Sequence, residues 1–212
     1  MTTALAPTAV ETATALLAEV QQARAKRLDP LDIPRTLTQR QVNAYVTVTA
    51  RFGANITDLG STLARLEAAT ARRAAMLPAR ERLQKAEATL LSQLATAAKW
   101  RELPPGPAQD NAYNQCEALK AAILVLRRGG VTRDGEHVNG LPGPLAALLT
   151  DRCVHCGHAV VFWPGPLDSL DEEIKELEKA IAADTTRLTH YLIPDARALL
   201  TLAAETTTAA TP

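Results

Sequence analysis

Two cysteines lie three positions apart in the run Cys153-Val-His-Cys-Gly-His158. In a Cys-x-x-Cys-Gly turn both thiolates can point to one metal ion, while backbone amides donate hydrogen bonds to the sulfurs. A glycine after the second cysteine, here Gly157, supplies the positive φ with which the chain leaves such a turn. The spacing therefore indicates a pair of thiolates that can share one ion.

The segment from Cys153 to Phe162 resembles the first half of a zinc ribbon, and the resemblance covers only this short part of the chain. It implies a structural zinc ion with Cys153 and Cys156 as its sulfur ligands. A zinc ribbon has a second Cys-x-x-Cys knuckle, which this sequence lacks. Other side chains must therefore complete the site.

Histidines are the candidates for the remaining ligands. His158 lies two positions after Cys156 and can turn toward the metal, and His137 is predicted on a preceding hairpin. His155 lies inside the turn, and Cys116 falls on the apolar stripe of a predicted helix, where a lone cysteine is usually a core residue. The predicted metal ligands are thus Cys153, Cys156, His158 and His137, with about one zinc ion per chain.

The same residues could support other chemistries. Two free thiols in a loop would need no metal, and a redox Cys-x-x-Cys would need a neighbouring βαβ unit, which the sequence does not show. The nucleotide deaminases resemble the motif superficially, but they need a His-x-Glu and a proline before the first cysteine. Here Glu136 precedes His137, and Arg152 precedes Cys153. No nucleophile elbow, His-Glu-x-x-His, P-loop or dinucleotide fingerprint occurs, so we predict that the protein is not an enzyme.

A short insert is predicted to position the cysteines. A helix over 108–128 should stop at Gly129-Gly130, and residues 131–138 read as a hairpin around an Asp-Gly turn. A short helix should follow over 144–150, and 159–163 read as a strand after the knuckle. The sequence therefore predicts a hairpin and zinc-knuckle insert over 131–166.

The rest of the chain is predicted to be helical, because apolar residues recur at spacings of three and four. The predicted helices are 8–28, 38–51, 56–77, 79–100, 108–128 and a long helix from 168 or 169 onward. Pro30 and Pro34 separate the first two helices, and Gly53 lies in the break before the third. Pro78 should kink a helix or start the next one, and Pro194 should interrupt the last.

These elements predict a mainly α protein, a multi-helix bundle of antiparallel helices with a small zinc-knuckle and β-hairpin insert. The predicted segments are a helical domain over 1–130, the insert over 131–166, a long amphipathic helix with a C-terminal helix over 167–205, and a disordered polar tail over 206–212.

Formal charge cancels, since 23 Lys and Arg balance 23 Asp and Glu, but its distribution is uneven. Basic residues dominate 65–101 and acidic residues dominate 168–178, so the two regions could pair within the chain or between copies. A heptad-like apolar seam runs from Leu170 to Tyr191, broken only by Asp184. It is either a self-association surface or part of the core, and both interpretations stay open at this point.

Two functions from different classes follow. The first is a non-enzymatic structural or assembly protein, for example a phage virion or scaffold component, with self-association or another helical protein as its partner. The alternative is a nucleic-acid-associated regulator that uses the basic helices over 65–101. The sequence over 38–66 predicts a helix, a turn and a second helix, and Thr38 and Gln41 cap the first helix. This arrangement could be mistaken for a helix-turn-helix DNA-binding motif.

The N-terminus lacks the pattern of a signal peptide, and no apolar run approaches the length of about 18 residues of a membrane span. We therefore expect no membrane partner and a location in the cytoplasm, or in a particle assembled there.

Overall fold

The computed structural model of this chain describes residues 7–28, 38–130, 141–152 and 155–208. Its α-helices are α1 (Pro7–Leu28), α2 (Gln39–Ala97), α3 (Pro107–Arg128), α4 (Gly143–Leu149), α5 (Leu167–Arg187) and α6 (Ile193–Thr208). A 3₁₀ turn over Ala98–Glu102 ends α2, and a π-helical turn over Leu188–Leu192 joins α5 to α6. The predicted mainly α fold is confirmed.

Helix α2 starts with the predicted cap. The backbone N–H of Thr38 donates to Gln41 Oε1 at 2.9 Å, and the Gln41 N–H donates back to Thr38 Oγ1 at 3.4 Å. This reciprocal capping box satisfies donors that the first helical turn would otherwise leave without partners.

The predicted break at Phe52-Gly53 is wrong, because α2 continues through it. Buried residues at alternating spacings of four and three follow one side of the helix there: Val48, Phe52, Asn55, Leu59, Thr62 and Leu66. A glycine inside a helix costs about 1 kcal/mol relative to alanine. Burying each large apolar residue of this row contributes about 1.5–3 kcal/mol, so the row outweighs Gly53. The helix-turn-helix interpretation of 38–66 is wrong for the same reason.

Pro78 also lies inside α2, where a kink or a new helix was predicted. The ring removes one backbone donor and costs about 3 kcal/mol in a helix interior. Beyond it, Leu83 and Leu90 are fully buried, and Met76 before it packs against the same core. Apolar burial on both sides of the proline therefore holds this stretch in one helix.

Two compact units make up the chain, one over 1–71 with 177–212 and one over 72–176. In the first, α1 packs on α6, and the core includes Phe52, Leu59 and Leu199. In the second, α3 packs on α4 around a core that includes Leu83 and Leu126. The predicted segments, with boundaries at 130, 166 and 205, stay a prediction.

The predicted interruption at Pro194 takes the form of a π-helical turn over Leu188–Leu192, and the chain stays helical through it. The backbone N–H of Ile193 donates to the carbonyl of Leu188, five residues earlier, as in a π-helical turn. The wider turn lets the chain pass the proline, which has no N–H of its own to donate. Helix α6 then extends to Thr208, so 206–208 are helical where a disordered tail was predicted. Residues 209–212 lie outside the described residues.

The chain forms one small sheet in its described part. Strand β1 (Thr150–Arg152) pairs with β2 (Ala159–Val161) in an antiparallel register, with Thr150 opposite Val161 and Arg152 opposite Ala159. The predicted strand over 159–163 is confirmed up to Val161, and β1 was not predicted. The hairpin predicted over 131–138 lies outside the described residues. None of the helices described here has both the length and the apolar character to span a membrane.

Candidate metal centre

Residues 153–158 connect β1 to β2, and they contain the predicted knuckle. Arg152, which directly precedes Cys153, is paired with Ala159, which directly follows His158. The two ends of the connection are thus held at the distance of neighbouring antiparallel strands, about 5 Å. The register makes the motif the tip of a β-hairpin.

The described part of the tip has the backbone expected of a knuckle. Gly157 has a φ of +70°, in the left-handed region where glycine carries no Cβ penalty. The prediction of a positive φ at this position is confirmed. Cys156 is a free, exposed cysteine, and His158 is exposed one residue beyond the glycine. A thiolate and an imidazole are ligand types that zinc prefers.

The four predicted ligands differ in what the structure shows of them. Cys156 and His158 lie on the tip, whereas Cys153 and His137 fall outside the described residues. Within the ranges that are described, no three His, Cys, Asp or Glu side chains form a group that could hold a metal. Zinc coordination by Cys153, Cys156, His158 and His137 therefore stays a prediction, and the donor types at the tip are compatible with it.

Cys116 is 3% exposed and belongs to the core of the second unit. Its predicted role as a core residue is confirmed. His155 is exposed on the tip beside Cys156.

The hairpin is anchored at its base. The strand residues of both β1 and β2 are exposed, so the strands bury no face of their own. Leu149, just before β1, is fully buried, and Trp163, shortly after β2, packs against the core of the second unit. The backbone N–H of Phe162 donates to the Leu149 carbonyl at 2.8 Å and closes the base. Anchoring therefore comes from residues next to the strands.

Arg82 of α2 also holds the hairpin, and the sequence reasoning missed it. Its Nη2 donates to the Leu149 carbonyl at 3.2 Å, and its Nη1 pairs with the carboxylate of Asp151 in β1. Its guanidinium carbon lies 4.7 Å from the ring centroid of Phe162. One side chain thus contacts residues on both sides of the knuckle.

The arginines of the basic region are engaged in ion pairs with the acidic helices. In the first unit, Arg65 pairs with Asp184 at 2.7 Å. The side-chain hydrogen bond with Asp184 is the main cause that raises the pKa of Arg65 above its ordinary value. In the second unit, Arg72 pairs with Glu173 of α5. Arg72 thus pairs, within one chain, with a residue of the predicted acidic region over 168–178, whereas the Asp184 partner of Arg65 lies outside that region.

Four α2 residues that form ion pairs, at positions 51, 58, 65 and 72, are spaced seven apart, and a fifth, Arg80, follows eight residues after Arg72. In the first unit, Arg51 pairs with Asp195, Asp58 pairs with Arg187, and Arg65 pairs with Asp184. In the second unit, Arg72 pairs with Glu173 and Arg80 pairs with Asp171. Partner numbers fall as α2 numbers rise, so the paired helices run antiparallel within each unit. Flanking charges at heptad spacing fix the register of paired helices. Asn55 adds to this, because its Nδ2 donates to Asp195 at 3.0 Å from a buried position.

The apolar seam of α5 faces the interior. Leu170, Ile174 and Leu188 are buried, and Asp184, the polar residue in the seam, accepts the bond from Arg65. Of the two interpretations left open by the sequence, the core interpretation holds for these residues. Tyr191 differs, since it is 67% exposed.

No family model, no curated protein and no solved structure matches this chain.

Proposed function

We propose that this chain is a non-enzymatic structural or assembly protein, of the kind found as a phage virion or scaffold component, assembled in the cytoplasm. The observation that carries the proposal is α2, a single helix of 59 residues, against a usual helix length of about 11–12 residues. Its buried row and the ion pairs at positions 51, 58, 65 and 72 are features of helices that pack in register along other helices. A long helix of this kind suits a part that is built into a larger body.

A structural zinc ion belongs to the same proposal. Cys153, Cys156, His158 and His137 would hold it, and the ion would fix the tip of a hairpin whose strands bury no face of their own. A closed four-ligand site supplies folding free energy and leaves no position open for a substrate. The paired strands and the positive φ of Gly157 support this role.

Self-association is the expected mode of assembly, with another helical protein as the other possible partner. Large apolar side chains remain exposed on helices of both units, among them Val46 and Tyr191 in the first and Leu91 and Tyr113 in the second. Contacts between copies would remove such side chains from water. Light scattering after size exclusion, at several protein concentrations and with zinc present, should give a mass above that of one chain. A strict monomer at every concentration would contradict self-association.

The alternative, a nucleic-acid-associated regulator acting through 65–101, has weaker support. Arg65, Arg72, Arg80 and Arg82 each engage a carboxylate of this chain, and phosphate would have to compete for them. We therefore expect little retention of the protein on immobilised duplex DNA or RNA, even at low salt. Strong retention that falls steeply as salt rises would favour the regulator, because phosphate contacts release counterions.

A further inference from the structure

The β1–β2 hairpin needs support from outside its own strands. A two-stranded hairpin alone is at best marginally stable in water, and the residues of both strands here are exposed. If the strands separate, the two halves of the knuckle separate with them, and a metal ion must order the tip again on binding. Whatever holds the strands together therefore affects metal affinity.

Arg82 makes three different contacts with the hairpin base. It donates to the Leu149 carbonyl at 3.2 Å, pairs with Asp151, and lies over the ring of Phe162 at 4.7 Å. Leu149 and Asp151 precede the knuckle, and Phe162 follows it. The Leu149 carbonyl also accepts the Phe162 N–H at 2.8 Å, so Arg82 reinforces the bond that closes the base.

A guanidinium group is well suited to make all three contacts at once. Its planar fork offers separate donors to the carbonyl and the carboxylate, and its flat face stacks on an aromatic ring. A lysine could keep the ion pair with Asp151, but it has no second fork nitrogen for the Leu149 carbonyl and no flat face for Phe162. A methionine would keep only apolar contact.

From these contacts we infer that Arg82 is the positioning residue of the zinc knuckle: it clamps the two strands that carry the metal-binding tip to helix α2. The inference rests on the proposed structural zinc. None of its described contacts is with Cys156 or His158, so Arg82 acts on the metal through the hairpin backbone.

The test compares Arg82→Met with Arg82→Lys and with a matched control, Arg80→Met. Arg80 lies two residues earlier on the same helix and in the same unit, but its ion pair is with Asp171 of α5. Zinc affinity is measured on the full chain by competition with a chromophoric chelator. Cobalt substitution adds a spectroscopic signature, because thiolate-to-cobalt charge-transfer bands report whether both sulfurs bind.

Arg82→Met should lower zinc affinity by about tenfold, because the bound metal must then order the strands without the hydrogen bonds that the guanidinium supplies. The zinc affinity of Arg82→Lys should lie between those of Arg82→Met and the wild type. Arg80→Met should keep the wild-type affinity. In the metal-free protein, amide hydrogen exchange at Phe162 should be faster in Arg82→Met than in Arg80→Met. If Arg82→Met loses its helical circular dichroism, the zinc affinity of Arg82→Lys is compared with that of the wild type, and this comparison decides whether Arg82 has the positioning role.

Equal zinc affinities for Arg82→Met and Arg80→Met would overturn the positioning role and leave the zinc site standing. A wild-type chain with no zinc affinity would overturn both the site and the role of Arg82. The wild-type titration separates these two failures, because it does not involve Arg82 variants.

Discussion

Changing both Cys153 and Cys156 to serine should abolish zinc binding, taking the metal content from about one ion per chain to none. A serine hydroxyl stays protonated near neutral pH and is a poor zinc ligand, so the site would lose both of its sulfur donors. The measurement is elemental analysis of protein purified without added metal. Helical circular dichroism should change little, because both positions lie between β1 and β2 in the sequence, and the described helices end before β1 or begin after β2.

Cys116→Ala is the matched control for that experiment. Cys116 is the one cysteine of the sequence outside the Cys153–Cys156 motif. It is buried in the core of the second unit and is not part of the hairpin tip. The control should keep its zinc and lose some stability, since a buried side chain becomes smaller. Zinc-free wild-type protein would contradict the site, and so would a double serine variant that still holds one ion.

Phe52→Ala should lower the free energy of unfolding by about 3–5 kcal/mol, the usual effect of truncating a buried aromatic side chain. Phe52 is fully buried in the core of the first unit, so its removal leaves a cavity where the surrounding helices pack. Urea denaturation followed by circular dichroism at 222 nm, a wavelength standard for helices, measures the change.

Val46→Ala is the matched control on the same helix. Val46 is 61% exposed, so its truncation should change the free energy of unfolding by no more than about 0.5 kcal/mol. Both substitutions place alanine, the best helix former, inside α2, so helix propensity cannot explain a loss at Phe52 alone. Similar urea midpoints for the two variants would show that the row of buried residues on α2 does not stabilise the first unit.

Local signals predicted the ends of several helices well. The helix predicted over 108–128 is observed as Pro107–Arg128, with a proline at its start and Gly129 at its end. Gly129 has a φ of +75°, and its N–H donates to the carbonyl of Val125. Proline at the first position and a left-handed glycine after the last are signals that need no tertiary context, so the sequence alone predicts them.

The interior of α2 could not be predicted in the same way. Gly53 and Pro78 are local breakers, and their cost is visible in the sequence. The compensating burial of Phe52, Leu59 and Leu83 depends on helices that are distant in the chain. Tertiary packing overrides local propensity in such cases. The same holds for β1, whose three residues are exposed and gain their structure by pairing with β2.

In the candidate metal centre, too, the sequence predicts the local features and does not predict the long-range contacts. The cysteine spacing and the positive φ of Gly157 are properties of a short segment, and the φ of Gly157 is predicted correctly from the sequence. Arg82 is 69 residues from Asp151 in the chain, and no local pattern links them. Its role follows only from the packing of α2 beside the hairpin.

The π-helical turn at Leu188–Leu192 fixes the rotational phase of α6. Its wider ring holds one residue more than an α-helical turn, and each residue of an α-helix turns the chain by about 100°. With that residue in place, Ala196, Leu199 and Ala203 are buried. A chain one residue shorter here would place Arg197 where Ala196 is buried, and a chain one residue longer would place Asp195 there, so the length of this segment is expected to tolerate neither insertion nor deletion.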